Sequence, residues 1–336
     1  MGGYSSSARL AKVNTGVLAS DQSGSHGVGT AAMLENDGAV YLAGNKGLAV
    51  MDASDPSNTK QVGSVIKTGA LSASALIMES DLLYVAGGTG LAVMDLKNKW
   101  RPSLMGSIIA TGAIKHNGGV AATVNSSKTI MYVAGGNGLA VMDLANPQAP
   151  VRAGGVVDTG LLAHQGGADM ILLEEENLMY IIGGNGLAVF DVAVPTKPSR
   201  IGSVINTGAL SYEGGAAMVL DERMLYVAGG NGLAVMSLAD VRQPERIGSV
   251  INTGCLHIYA GAAMLFDGAK LVIAGGKGLG FFSLANPRKP QIVNAVIHTG
   301  CLSYDGGCGL LKSSTRDMLL VAGGNGLGVF EGNLLG

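Results

Sequence analysis

The sequence predicts an all-β protein, a closed seven-bladed β-propeller with four antiparallel strands in each blade. Three observations predict this fold. A strand–turn–strand phrase recurs seven times, and each period holds two further extended segments. The last repeat lacks one of these extended segments, and the first residues of the chain match the missing one. A period of about 46 residues that holds four strands is typical of propellers.

The recurring phrase is an apolar strand, a glycine-rich turn and a second apolar strand, as in YVAGGNGLAVMD from Tyr132. The glycine that opens the second strand sets the register of the copies: Gly47, Gly90, Gly138, Gly186, Gly232, Gly278 and Gly326. These glycines are 43 to 48 residues apart, so seven repeats lie between residues 27 and 331. Glycine suits this turn because tight hairpins need residues with positive φ.

Each period also holds two other extended segments. One ends in Thr-Gly, as in RIGSVINTG from Arg200, and the other is small and apolar, as in GGAAMVL from Gly214. Short segments rich in Val, Ile and Leu, separated by Gly, Pro or Asp, indicate strands. We name the four strands A (GGAAMVL), B (LYVAGG), C (GLAVMDL) and D (RIGSVINTG). The small residues of strand A are expected to line the central channel, where the blades converge.

The two ends of the chain predict how the ring closes. Residues 8–16 match strand D, whereas the last repeat ends after strand C at Phe330. Residues 8–16 are therefore predicted to complete the last blade, which removes unpaired sheet edges. We expect residues 1–336 to form a single domain, with residues 1–7 as a flexible N-terminus.

Composition excludes several classes of function. The chain is 47% hydrophobic and 14% charged, with a mean hydropathy of +0.35, yet no apolar run reaches the roughly 18 residues of a transmembrane helix. The net charge is -2 and no basic run stands out, which argues against a nucleic-acid partner. Three cysteines without framework spacing predict an intracellular, cytoplasmic protein. We expect a monomer.

The first seven residues match the Met-Gly-x-x-x-Ser pattern for myristoylation of Gly2. No polybasic segment follows to support a single acyl chain at a membrane. An ordinary flexible N-terminus is the favoured interpretation, and lipidation of Gly2 is the alternative.

The YVAGG–GLAVMD–ANP–IGSV pattern resembles the LVIVD-repeat propellers, whose namesake segment corresponds to strand C, here Leu139 to Asp143. The resemblance spans Arg9 to Phe330. The glycine doublet after strand B is also similar to kelch repeats, but their downstream Tyr and Trp are missing, and Trp100 is the only Trp. The LVIVD resemblance implies a surface, scaffold or interaction module and transfers no catalytic residues.

The D-to-A loops carry the repeated polar residues, and we predict that they surround the channel mouth together with the B-to-C turns. The candidate ligand-binding ring comprises His26, His116, His164, Tyr212, Glu213, Tyr259, Tyr304 and Asp305. One hypothesis is that this ring binds a polar ligand or a metal. The favoured one is that it covers the channel and bonds to neighbouring loops, because a repeated position is first a feature of the repeat.

Other reactive residues receive structural interpretations. Cys255 and Cys301 occupy equivalent loop positions and are read as small buried thiols, with a Cys–His nucleophile that uses His257 as the alternative. The carboxylate that ends strand C, as in Asp143, is predicted to bond the backbone of the next turn, and Ser237 and Ser283 replace it in two copies. We therefore predict no catalytic residue, no metal and no cofactor.

The sequence favours a non-catalytic propeller that binds a protein partner through its loop face or rim. The alternative is an enzyme, or a protein that binds a small molecule or metal, with the channel-mouth ring as its site. Fold alone does not decide between them.

Overall fold

The protein is a seven-bladed β-propeller in the computed structural model, which describes residues 9–15, 17, 31–70, 75–88, 90–114, 119–161, 167–211, 214–303 and 307–331. Seven separate sheets each contain four antiparallel strands. The one helical segment among these residues is a 3-10 turn, Pro56–Asn58. The predicted fold class is confirmed.

Strand A is the innermost strand of each blade. The seven A strands are β2 (Ala32–Asn36), β6 (Ala75–Glu79), β10 (Ala121–Val124), β14 (Asp169–Leu173), β18 (Ala216–Asp221), β22 (Ala263–Asp267) and β26 (Cys308–Lys312). Each A strand contacts the A strands of both neighbouring blades, and β26 contacts β2, so the ring is complete.

Strands B and C form the buried hairpin of each blade. The B strands are β3 (Ala39–Gly44), β7 (Leu82–Gly87), β11 (Ile130–Gly135), β15 (Leu178–Gly183), β19 (Met224–Gly229), β23 (Lys270–Gly275) and β27 (Met318–Gly323). The C strands are β4 (Gly47–Asp52), β8 (Gly90–Asp95), β12 (Gly138–Asp143), β16 (Gly186–Asp191), β20 (Gly232–Ser237), β24 (Gly278–Ser283) and β28 (Gly326–Glu331).

Strand D is the outer edge of each blade. In chain order the D strands are β1 (Arg9–Val13), β5 (Lys60–Gln61), β9 (Ser103–Leu104), β13 (Val151–Arg152), β17 (Ser199–Ile205), β21 (Glu245–Ile251) and β25 (Gln291–Ile292). The four two-residue strands are each continued by an isolated bridge, as between Leu139 and Val157. Blades 1 to 6 are β2–β5, β6–β9, β10–β13, β14–β17, β18–β21 and β22–β25, and blade 7 is β26–β28 with β1.

The first strand closes the ring, as the sequence predicts. Strand β1 pairs antiparallel with β28, with Val13 opposite Leu327, in the outer position of blade 7. The Arg9 guanidinium of β1 donates to the carbonyl oxygen of Thr299 at 3.3 Å, as the Arg246 guanidinium of β21 does to that of Thr207. Regular pairing covers Arg9–Val13, within the predicted span of residues 8–16.

The core lies between the blades. The buried apolar residues form seven clusters, each shared by two neighbouring blades, and the tyrosines of strand B are among the largest fully buried side chains. Five tyrosine hydroxyls donate to carbonyl oxygens in the C-to-D turn of the next blade: Tyr41 to Lys99, Tyr84 to Pro147, Tyr132 to Pro195, Tyr180 to Val241 and Tyr226 to Pro287. These bonds join neighbouring blades and satisfy hydroxyls that burial would otherwise make costly.

Candidate functional site

The D-to-A loops and the B-to-C turns meet on one face of the propeller, as predicted. The backbone N–H of Asn137 in the turn of blade 3 donates to the carbonyl of Ala113 at 2.8 Å, and its side-chain amide donates to Gly112. Asn231 and Asn325 make the equivalent backbone bonds in blades 5 and 7, and their side-chain amides donate to the carbonyls of Leu210 and Leu302. The asparagine of the glycine-rich turn thus holds the incoming loop in place.

One residue of the predicted ring lies in the described part of the chain. That residue is Tyr259, in the loop from blade 5 to blade 6. His26, His116, His164, Tyr212, Glu213, Tyr304 and Asp305, together with Gly2, lie outside the described residues. The ring and its ligand therefore stay predictions.

The loop that carries Tyr259 is held by several hydrogen bonds. The Tyr259 N–H donates to Nδ1 of His257 at 3.4 Å, and the ring centroids of these two residues are 5.6 Å apart. The Ser211 hydroxyl donates to the carbonyl of Ile258 at 3.4 Å, and the Gly215 N–H donates to that of Ala260 at 2.8 Å. Ile258 and Tyr259 nevertheless remain 40% and 38% exposed, so a loop held by hydrogen bonds presents apolar surface to solvent.

The A strands approach one another closely around the channel. A Cβ atom on Gly119 would overlap the backbone of Gly167 and Ala168, and Gly215 would meet Gly261 in the same way. The Gly167 N–H donates to the carbonyl of Gly214 at 2.9 Å, across the blade boundary. Small residues of strand A such as Ala168 and Ala216 line the central cavity, so this prediction is confirmed, and a larger side chain on the preceding glycines would collide with the next blade.

Asp169, in strand β14, is a channel residue that the sequence analysis did not single out. Its Oδ1 accepts the N–H of Met170 and its Oδ2 accepts the N–H of Met218 on β18, each at 2.8 Å. Burial among protein atoms raises the pKa of this carboxyl to about 6, and the two N–H groups oppose that rise. The side chain keeps partial contact with the channel space. Aligning the A strands, GGADMIL from Gly166 against GGAAMVL from Gly214, would have singled out this residue, because alanine stands at its position in the second segment.

The carboxylates that end strand C bond the following turn, as predicted. Oδ1 of Asp143 accepts the N–H of Ala145 at 2.7 Å, and Asp52, Asp95 and Asp191 accept the equivalent N–H groups. Ser237 and Ser283 do the same with their hydroxyl oxygens. These residues serve the turn.

The cysteines have the character of buried thiols. Cys255, Cys301 and Cys308 are free and buried, and burial raises the pKa of each thiol. The Cys255 thiol donates to the carbonyl of Ile273 at 3.5 Å. A raised pKa lowers the thiolate fraction that a nucleophile needs.

Neither a metal cluster nor a membrane helix is found in the ranges that the structure describes. No three His, Cys, Asp or Glu side chains within those ranges converge where an ion could be held. None of their helical segments is long and apolar enough to cross a membrane.

Comparison with known proteins agrees with this architecture. The LVIVD repeat model matches residues 38–66, 72–109, 118–158 and 166–206, which lie in blades 1 to 4. No curated protein matches the sequence significantly.

Solved structures match over nearly the whole chain at low identity. A putative 6-phosphogluconolactonase from Bacteroides uniformis is 12% identical with a TM-score of 0.61, and the match covers 89% of this chain and 88% of that one. Virginiamycin B lyase from Staphylococcus aureus is 9% identical with a TM-score of 0.61, covering 96% of this chain and 98% of the lyase. At such identities the likeness shows the fold alone. The chain is a seven-bladed β-propeller, and its first four blades match the LVIVD repeat model.

Proposed function

We propose that this propeller is a non-catalytic interaction module that binds a protein partner on its loop face, with Ile258 and Tyr259 at the centre of the contact. The observation that carries the proposal is the exposure of these two side chains on a loop braced by hydrogen bonds. Large side chains held in place before binding lose little entropy when a partner covers them.

The chemistry of the pair suits a protein partner. Tyrosine is enriched among the residues that dominate binding energy, because it combines a large apolar area with a polar end. A neighbouring isoleucine adds apolar area. The net charge of -2 gives little long-range attraction, so we expect affinity to come from local burial rather than from electrostatic steering.

The repeated polar groups of the blades already have structural roles, which supports a module without chemistry of its own. The tyrosines of strand B bond the next blade, and the carboxylates of strand C bond their own turns. The lyase and the lactonase are named for reactions, but at 9% and 12% identity they lend this chain a fold and no mechanism.

The experiment is capture of partners from native extract on immobilised protein, quantified by mass spectrometry. We compare the wild type with the double variant Ile258→Ser/Tyr259→Ala and with Val293→Ser, which removes an exposed apolar side chain from the outer edge of blade 6. We expect the wild type and Val293→Ser to capture the same amount of the same partner. The double variant should capture about tenfold less, as expected when two central contact residues are removed.

Melting temperatures of all three proteins show whether the variants stay folded. Equal capture by the double variant would refute the loop-face assignment. Loss with Val293→Ser alone would move the interface to the rim. A photo-crosslinking residue at position 259 identifies a partner that dissociates during washing.

The proposed location is a reducing intracellular compartment, and the proposed state is a monomer. Three buried free thiols support the first statement. Cell fractionation and light scattering test the two statements separately. Intact mass of the natively expressed protein decides whether Gly2 carries a myristoyl group, which we expect it to lack.

A further inference from the structure

The sevenfold pattern of the channel is broken at one position. Asp169 pairs with Ile182 on strand B of its blade. The residues at the same register in the other six blades are all small and uncharged: Ala32, Ala75, Ala121, Ala217, Ala263 and Gly309. Asp169 thus carries a carboxylate at a position where six of the seven blades have only a methyl group or a hydrogen, so the fold requires neither charge nor size there.

The channel is open on both sides of this carboxylate. A cavity of about 210 Å³ is lined by the A strands of blades 1, 4, 5, 6 and 7, and a second of about 220 Å³ by those of blades 1, 2, 3 and 4. The two cavities share Met33, Ala168 and Asp169. Each could hold several molecules of water size, since a water occupies about 30 Å³ in the liquid.

No cation of the described chain balances the charge. None of the ion pairs among those residues includes Asp169. The flanking strands β10 and β18 carry no Lys, Arg or His, and the acidic Asp221 stands at the far end of β18. The carboxylate has two backbone N–H groups as partners. Because these groups do not neutralise a buried negative charge, the site favours binding of a cation from solution.

We propose that the central channel binds a small cation with N–H donors, an ammonium ion or a primary amine, at Asp169. An ammonium group can donate to the remaining lone pairs of the carboxylate. It can also donate to backbone carbonyls, because each A strand is the end strand of its sheet and turns one row of peptide groups toward the channel. One positive charge matches the one carboxylate on the walls of the two cavities.

The donor set favours a nitrogen cation over a divalent metal. Calcium takes six to eight oxygen ligands, and magnesium needs a near-ideal octahedron. Both oxygens of Asp169 already accept an N–H, and the other side chains on the walls are alkyl groups, methionines and one thiol. A ligand that needs one or two acceptors suits this wall better than one that needs six.

Binding should depend on pH through Asp169. The other titratable group on the cavity walls is the Cys308 thiol, whose pKa is raised by burial, so it stays neutral at physiological pH. The Asp169 pKa of about 6 means that the carboxyl is mostly ionised at pH 7.5 and largely protonated at pH 5. Cation affinity should therefore fall between these two values.

The test titrates methylammonium chloride into the full chain at pH 7.5 and constant ionic strength, with sodium chloride and tetramethylammonium chloride as comparison salts. Saturation-transfer NMR on the methyl resonance reports contact, and the melting temperature reports stabilisation. The variants are Asp169→Ala, which restores the residue of five other blades, and Asp169→Asn, which keeps the shape. Asp81→Asn is the control, because it removes an exposed carboxylate from a turn of blade 2.

We expect methylammonium to bind the wild type and Asp81→Asn with dissociation constants within twofold of each other, and both Asp169 variants at least tenfold more weakly. Wild-type affinity should drop at least threefold at pH 5. Failure of methylammonium to bind the wild type, or equal binding by Asp169→Ala, would overturn the site. Equal binding of sodium or tetramethylammonium would overturn the N–H donor class. Partner capture by the Asp169 variants should be unchanged, so the loop-face proposal stands or falls separately.

Discussion

The Tyr180 hydroxyl in blade 4 donates a 2.7 Å hydrogen bond to the carbonyl oxygen of Val241 in blade 5. The same contact recurs at four other blade boundaries, always from the tyrosine of strand B to the C-to-D turn of the following blade. Blades 6 and 7 have Val272 and Leu320 at this position. The propeller is thus joined by an apolar core throughout and by this tyrosine hydrogen bond at five of its seven boundaries.

The first prediction concerns this bond. Tyr180→Phe should lower the free energy of unfolding by about 1 kcal/mol, because it removes a hydrogen bond and leaves the half-buried carbonyl of Val241 without this partner. Urea unfolding measures the change. Burial also raises the Tyr180 pKa to about 12, so the hydroxyl remains a donor throughout the usual pH range.

Tyr132→Phe is the matched variant one blade earlier, since its hydroxyl bonds Pro195 at 3.0 Å. The two losses should add in the double variant, because the bonds lie at separate boundaries. A change below about 0.3 kcal/mol in both single variants would contradict a stabilising role for the hydroxyls.

A second prediction concerns ring closure. Gly326 opens strand C of blade 7 with φ of 120°, and a Cβ there would overlap the carbonyl oxygen of Val13 in the closing strand. Gly326→Ala should therefore lower the free energy of unfolding by about 2 to 4 kcal/mol, because it combines an unfavourable φ with a backbone collision. Gly248→Ala is the control, because the φ of Gly248 is 67° and an added Cβ would meet nothing within 4 Å. Only the unfavourable φ should destabilise this variant.

Thermal and urea unfolding of both variants give the comparison. Equal losses of unfolding free energy in the two variants would mean that the closing strand can move away from the added Cβ without destabilising the fold. A larger loss at Gly326 should be accompanied by faster hydrogen exchange of residues 9–13, because the collision pushes that strand away from β28.

The third prediction concerns the thiols. Cys255 and Cys301 should react with a thiol reagent in the native protein only as fast as it unfolds, because burial raises each thiol pKa and blocks access. In denaturant all three thiols should react at once. Ser203→Cys adds an exposed thiol and serves as the positive control. Rapid native labelling of Cys255 would revive the nucleophile hypothesis with His257.

The repeat made the architecture predictable, because seven copies of one pattern report the same environment seven times. Strand order, the closing strand, the small residues of strand A and the turn-bonding role of Asp143 all follow from that redundancy. Ser237 and Ser283 even indicated which property mattered, since a hydroxyl oxygen can accept the same N–H.

The positions that carry our proposals were harder to predict, because they are where the copies differ. Asp169 is visible in the sequence segment GGADMIL, but the surroundings of its carboxylate depend on the fold. They depend on which face of strand A opens to the channel and on the backbone N–H of Met218 in the next blade. Exposure of Ile258 likewise depends on how its loop folds against Ser211. Both are contacts between blades, which local pattern does not encode.

The last prediction follows from the charge of Asp169. The folded-state pKa of this carboxyl is raised from 3.8 to about 6, so its stabilising contribution is complete below pH 3.8 and is lost as pH rises through 6. The wild type should therefore lose stability relative to Asp169→Ala between pH 4.5 and 7.5, by about 1 to 3 kcal/mol, since one pKa unit corresponds to 1.36 kcal/mol and water in the channel reduces the effect. Urea unfolding in amine-free buffer measures the difference. Asp191→Asn provides the opposite sign, because the Ala193 N–H and the Arg242 guanidinium lower the Asp191 pKa and its contribution is lost as pH falls. A stability difference between wild type and Asp169→Ala that does not change with pH would mean that the carboxyl is as well solvated as in the unfolded chain. Methylammonium should reduce the loss of wild-type stability at high pH if it occupies the channel.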